Sequence, residues 1–517
     1  MAKMLIAGEP ADSESGQTTE VRNPATGEVV DNVPKGTITD IRRAIDAAKG
    51  ALKKWSAMAP SKRGAVLLAA GHTILQQEKE LATLLTKEQG KPMRESILEI
   101  RRFVHTLDHY GGMAKTMRTS AVVLDTGRHG IVLRKPLGVC GSIVPWNFPV
   151  SLMGNKLGPA LLAGNTVVVK PAGTTPLTDL RTCEIIDKAI QDAGGPKGVL
   201  NVVTGPGSVV GEELLVNPTV RKIGFTGATD TGRRVMQSAA KDFKHVTLEL
   251  GGSDPMIVCD DADIDRAVSA ASVGRFFNCG QACLAVKRLY LFESIADAFM
   301  EKLVDKAKKI SIGNGLKAGV LMGPLHTKEQ RQEVEDQVED AVKRGGKVIF
   351  GGQRPKGDDY DKGFYLQPTL VADVDPASRM IQEEVFGPAL PIVRVKNLDQ
   401  AIEQANGSIF GLGSSIWTRD INRAMYGAEN IEAGYTWVNS AQIIYDELPF
   451  GGVKQSGLGK EHGDEAIEHY TDSKSVVIAT ETHSEIVGGE LPKMKDRGSR
   501  IAILDLLFSI LDRSAIL

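Results

Sequence analysis

The sequence predicts an α/β protein centred on a parallel, doubly wound sheet. Three observations carry this reading. Between about 138 and 250, short apolar runs alternate with helical patterns, as strand–helix crossovers require. The polar and glycine residues of that stretch, Lys170, Gly205, Gly227 and Glu249, fall where each strand ends. A second alternating series opens near Asp254 and runs to Asn439.

Length and composition set the frame. A chain of 517 residues exceeds one ordinary core, so two or more domains are expected. With 42% hydrophobic and 24% charged residues its make-up is ordinary for a globular protein. A net charge of -2 gives no field for a nucleic-acid partner. The five cysteines (Cys140, Cys183, Cys259, Cys279 and Cys283) are odd in number and irregularly spaced, which argues against a disulfide framework and for a reducing compartment. Cys279 and Cys283 lack a second Cys or His pair, so no metal is expected. MAKMLIAGEP has no signal-peptide core, and no stretch reaches the ~18 apolar residues of a membrane span. The expectation is a cytoplasmic protein without a membrane partner.

Taken in order, Val21 to Val30 predicts a hairpin turned by Asn-Pro and Thr-Gly. Thr39 to Ala57 predicts a helix capped by Thr39, with Ile41, Ala44, Ile45 and Ala48 on one face. Ser61 to Gln89 continues helical until Gly90 and Pro92, and Glu95 to Tyr110 forms another helix. His105 and His109 stand at metal-binding spacing there, but the Glu of HExxH is missing, so they read as two solvated histidines. Gly130 to Pro136 alternates like an exposed strand.

The strands of the first sheet follow: Thr166 to Lys170, Val199 to Val203, Lys222 to Phe225 and Val246 to Leu250. GPGSVVG, from Gly205 to Gly211, departs from GxGxxG because its last glycine is one residue late. Two consecutive turns rich in Gly and Thr still present helix N-termini to a phosphate. In the second unit, Asp263 to Phe277 is a helix that delivers the chain to the stretch RFFNCGQACL. Strands are expected at Val286 to Phe292, Lys347 to Phe350, Gly411 to Trp417 and Gly434 to Asn439, with helices between them.

Two short stretches carry chemistry. Cys283 follows Gly280 and Gln281, and Glu249 is a lone carboxylate within LELGG. A thiolate attacks electrophilic carbon, and a carboxylate held out of water can be tuned into a base. An isolated buried cysteine is ordinarily a small hydrophobe, so the pairing depends on the rest of the chain.

PWNFP, VVVKPA, GFTG, LELGG, FNCGQAC, EEVFGP and PFGGVKQSG occur in this order. Together they resemble the non-acylating, NAD(P)-dependent aldehyde dehydrogenase superfamily. The resemblance implies an α/β fold with a Rossmann-type cofactor domain, a second α/β catalytic domain and a small β oligomerisation arm. It implies a cofactor-binding domain from 1–118 and 137–250 and a catalytic domain over 251–455. The implied arm takes 119–136 and 470–482, leaving a C-terminal tail at 483–517. Homo-oligomers, dimers or tetramers, are implied as well.

Carried onto this sequence, the resemblance implies that Cys283 attacks an aldehyde, Asn147 helps hold the oxyanion, and Glu249 activates water against the thioester. The implied cofactor is NADP or NAD. Lys170 reaches the adenine ribose, the Gly227 turn faces the pyrophosphate, and Glu384 holds the nicotinamide ribose with Phe386 beside it. Val144 and Trp146 line the cleft, and Gly173, Gly207, Phe225, Ala228 and Leu250 complete the cofactor set.

There are departures. Gly173 stands where many members have a Glu that binds ribose hydroxyls and repels a 2′-phosphate, so NADP is expected to be competent. Asn155 replaces a tunnel aromatic, implying a wider or more polar tunnel. Asp446 and Glu447, near the implied tunnel mouth, argue against anionic semialdehydes, and no Arg is placed near these segments. Arg500 to Arg513 predicts a short amphipathic helix that docks on the enzyme. A cofactor-free thiol hydrolase is the rival reading, but it would not need Lys170, Gly227 and Glu384.

Overall fold

The computed structural model describes residues 1–117, 119–124 and 128–479. The predicted tail helix and the end of the predicted arm lie outside these residues. The first sheet has eight strands in the order Gly457–Leu458, His245–Glu249, Val220–Thr226, Val139–Ile143, Thr166–Lys170, Leu200–Val202, Met4–Ile6 and Glu9–Ala11. Its five central strands are parallel, and antiparallel strands close both sides. The stretch after Gly138, apolar but too glycine-rich to read as a strand, supplies the middle strand.

The parallel strands form where the sequence is β-branched and uniformly apolar. Thr166–Lys170, TVVVK, is buried along its whole length, and helices cover both faces of its sheet. Each fully buried valine there contributes about 2 kcal/mol. Helix Ile38–Ala57 is capped by Thr37 rather than Thr39, in a capping box closed by Asp40. Asp40 is itself buried, which places the helix start two residues early. Pro149 opens the helix Pro149–Ala163, where its missing N–H costs nothing, and left-handed Gly164 ends it.

The second sheet has seven strands, ordered Lys347–Phe350, Thr369–Ala372, Ala389–Val395, Val286–Phe292, Asp254–Val258, Gly413–Trp417 and Tyr435–Val438. All pair parallel except Lys347–Phe350. A separate core surrounds it. A three-stranded antiparallel sheet, Thr471–Ala479, Arg128–Pro136 and Ser120–Leu124, stands apart and exposes Val122, Val123 and Val477.

Register fixes what meets at the strand ends of the first sheet. Ile143 lies opposite Lys170 and Phe225, and Thr226 opposite Glu249. The carboxyl ends of these strands are where an open α/β sheet binds its ligand.

Candidate active site

The loop before Cys283 is held in an uncommon shape. Asn278, Cys279 and Gly280 are all left-handed, with φ of 49°, 55° and 73°. Each non-glycine residue there costs roughly 1–3 kcal/mol, so the surroundings must impose the turn. They do so with hydrogen bonds. Asn278 N donates to Glu95 Oε2 at 2.9 Å, and its side chain donates to Asn147 O at 2.9 Å. Buried Arg275 donates to Gly280 O at 2.6 Å and to the carbonyls of Val385 and Val286. Gln281 accepts from His326 N at 2.8 Å. A Cβ on Gly280 would lie 2.3 Å from Gly387 O, so only glycine fits.

This turn separates the two cysteines. Cys279 is buried, and burial pushes its thiol far up; Cys283 is the one half-buried cysteine. Burial also pushes the Cys283 thiol up to about 12, opposed by the charge of Lys287. Asn147 Nδ2 donates to Gln281 O at 3.1 Å, which keeps its amide beside the thiol loop with a second N–H to offer. Glu249 is buried with no protein partner on either oxygen. Burial and the neighbouring charge of Glu461 raise its pKa well above the usual range, and Lys156 opposes them.

The cofactor candidates line one edge. Val144 N donates to Lys170 O at 3.1 Å, and Gly227 N to Glu249 O at 3.0 Å. Lys170 is nearly buried, which lowers its pKa to about 8, and its side chain lies 3.8 Å from the place of a Cβ on Gly211. Ala228 precedes the helix Thr229–Ala240, whose first N–H groups have no side-chain cap. The Phe225 ring fills the space a Cβ on Gly227 would need, and Leu250 packs on Gly232. Gly207 and Gly173 are exposed. Trp146 stacks on His326 at 4.6 Å and meets Phe386 edge-on at 5.7 Å. Glu384 accepts from Gly252 N at 3.1 Å and from Lys287 Nζ at 2.5 Å. Uncapped helix donors, an open glycine edge and a lone lysine fit a dinucleotide.

Three expectations are corrected. Asp446 is wholly buried, not at an open mouth; it accepts from Arg102 at 2.5 Å and His105 Nδ1 at 2.6 Å, with His462 Nδ1 at 2.7 Å. An arginine is therefore present near this segment, brought in by a helix 344 positions away in sequence. Asn155 is buried and its amide donates to Glu461 at 3.0 Å. His109 is half-buried with an unpartnered Nε2, so only His105 is solvated.

Sequence reasoning missed a buried charged frame behind the site. Lys91 bridges Glu99 at 2.5 Å and Asn147 O at 2.7 Å, and Glu99 caps the helix at Val150 N. Lys156 pairs with Glu461 at 2.7 Å. The only sequence signal for Lys91 was its place between Gly90 and Pro92.

The aldehyde dehydrogenase family profile matches residues 11–476. The chain is 41% identical over 475 residues to the glutarate-semialdehyde dehydrogenase of Pseudomonas putida, covering 92% of this chain and 97% of that one. It is 40% identical over 475 residues to an NADP-dependent succinate-semialdehyde dehydrogenase of Escherichia coli, with the same shares. Among solved structures, betaine aldehyde dehydrogenase of Staphylococcus aureus with NAD+ superposes with a TM-score of 0.91 at 34% identity, over 95% of this chain and 97% of that one. An E. coli NADP-dependent enzyme gives 0.89 at 39% identity, over 92% and 98%. With these matches, the motif order and the strand-end site, the chain belongs to the aldehyde dehydrogenase family.

Proposed function

We propose that Cys283, Asn147 and Glu249 carry out this chain's reaction, the oxidation of an aldehyde to its acid with NAD(P) as hydride acceptor. The observation that supports the assignment is the loop geometry: four cysteines are buried and Cys283 alone is half-open, beside the Asn147 amide. The Cys283 thiolate adds to the aldehyde carbon, giving a tetrahedral hemithioacetal. The Asn147 side chain and the Cys283 backbone N–H donate to the oxygen as it becomes an anion; losing one such donor costs about 3 kcal/mol of barrier. A nicotinamide held at this site would supply the hydride acceptor, so that the carbon bonded to Cys283 becomes a thioester. Glu249, in its ionised form, takes a proton from water that attacks this thioester, and the acid leaves.

Lys170, Gly173 and Gly207 would hold the adenosine end, and Phe225, Gly227, Ala228 and Leu250 the pyrophosphate turn. Val144, Trp146, Glu384 and Phe386 would hold the nicotinamide end.

The substrate we assign is an uncharged aldehyde with an apolar or aromatic chain. Cys283, Tyr435 and Ile444 pack against a buried cluster of Leu284, Leu412, Trp437 and Phe450, and Phe148 stacks on Phe277 at 6.0 Å. Cations around this cluster are spent: Lys287 on Cys283 O and Glu384, Arg102 on Asp446, and Lys91 on Glu99 and Asn147 O. Among the described residues, nothing equivalent to a carboxylate clamp supports transferring the relatives' semialdehyde names to this chain.

We also propose the domain division 1–118 with 137–250, 251–455, and 119–136 with 470–482. The three-stranded sheet, with Val122, Val123 and Val477 exposed, would assemble dimers or tetramers in the cytoplasm. Among the described residues no helix is long and apolar enough to cross a membrane.

The test is reduced-nicotinamide formation over an aldehyde panel, with NAD and with NADP. Cys283→Ala is expected to abolish turnover while keeping cofactor binding. Retention of more than about 1% of activity would reassign the nucleophile.

A further inference from the structure

Lys287 is buried, yet it lies in a strand where six of its seven residues are uncharged or aimed elsewhere: Arg288, the other cation, bonds to Ser253 O and to the carbonyls of Gln404 and Ala405. Lys287 Nζ donates to the backbone oxygen of Cys283 at 2.6 Å and to Glu384 Oε1 at 2.5 Å, and sits 5.6 Å from the Phe386 ring. The approach is close because Gly252 has no side chain; a Cβ there would lie 2.9 Å from Cys283 O.

We propose that Lys287 is a positioning residue that sets the ionisation of the Cys283 thiol, and that Glu384 competes with the thiolate for its charge. The proposal rests on Cys283 being the nucleophile and on Glu384 meeting the cofactor ribose.

The physical case is one of supply. The charges that act on the thiol are those of Lys287, Glu249, Asp254 and Glu384. Three are carboxyls, and burial raises Asp254 to about 7 and Glu249 well above its usual range. Burial pushes the thiol up, so a thiolate needs a cation, and Lys287, bonded to the Cys283 carbonyl, supplies the positive charge beside it. In this structure that ammonium is held by Glu384. A ribose that engages Glu384 would draw the carboxylate away from Lys287 and leave its charge to the sulfur. The same lysine fixes the main chain at Cys283, so orientation and ionisation are set together.

The test is the pH dependence of Cys283 alkylation by iodoacetamide in the cofactor-free enzyme, with the labelled residue identified by mass spectrometry. Lys287→Gln keeps donors for Cys283 O and Glu384 but removes the charge. Its alkylation profile is expected to move up by a unit or more, about tenfold slower at a given pH below the transition. Lys287→Arg should keep the wild-type profile. Glu384→Gln, which retains Lys287, should move the profile down, covering the case in which Lys287→Gln does not fold. A Lys287→Gln profile superposed on wild type, or a Glu384→Gln profile that does not fall, overturns the proposal. Alkylation elsewhere than Cys283, or an active Cys283→Ala enzyme, would instead overturn the underlying assignment of the nucleophile.

Discussion

Lys156 Nζ lies 2.7 Å from Glu461 Oε1, and both side chains are almost wholly buried. Burial alone would raise Glu461, but the charge and hydrogen bond of Lys156 carry it below the usual carboxylate range. Glu249, beside the pair, is pushed the other way by burial and by Glu461 itself. The two neighbouring carboxyls are thus pushed in opposite directions, and the raised proton affinity of Glu249 suits it to take a proton from water.

Glu249→Gln should therefore separate the two halves of the reaction. Rapid mixing with aldehyde and cofactor is expected to give a burst of reduced cofactor near one per site, then a slow steady state. A single slow phase without a burst would place Glu249 before hydride transfer.

The cofactor edge gives a second expectation. Lys170 stays next to Gly173, and a Cβ at Gly173 would meet nothing within 4 Å. NADP should be a competent cofactor with NAD also used, since a 2′-phosphate placed there would meet Lys170 and no carboxylate at Gly173. Gly173→Glu should shift the ratio of kcat/KM toward NAD by about tenfold or more. A wild type favouring NAD by about 100-fold would contradict this.

Asp179 lies wholly buried with no protein partner on either carboxyl oxygen. Burial, then the charges of Glu88 and Glu99, raise its pKa well above normal. The folded state therefore binds a proton that the unfolded state releases, and stability falls as pH rises above the unfolded carboxylate value. Asp179→Asn should raise the melting temperature, by more at about pH 8 than at about pH 5. An equal effect at both would show that Asp179 is ionised.

Arg275 tests the thiol loop. Its guanidinium satisfies the carbonyls of Gly280, Val286 and Val385. Arg275→Met leaves them unpaired in a dry site, at about 1–3 kcal/mol for each group not reached by water. Denaturant melts should show a loss on the order of 3 kcal/mol, with alkylation of Cys279 becoming measurable as the turn relaxes. Unchanged stability would mean that the turn holds without the arginine.

Much of the fold was legible in the sequence because buried parallel strands leave a plain signal. TVVVK at 166–170 and VKRLYLF at 286–292 are runs that packing on both faces demands. Val139–Ile143 escaped because Gly141 and Cys140 weaken the pattern; its place is won by pairing with strands on both sides. Gly457–Leu458 escaped for a similar reason, being two residues long and held at the edge beside Glu249.

The sequence by itself determined the family, the order of the motifs and the identity of Cys283, Glu249 and Asn147 as candidates, since each rests on local residue type and chain order. Tertiary structure decided which charges are spent. Asp446 reads as a surface acid and is buried against Arg102 and His105; Lys287 reads as one more strand residue and lies between Cys283 and Glu384. The reason is physical: the field at a side chain comes from partners hundreds of residues away, and burial, which sets how strongly that field acts, belongs to no single residue.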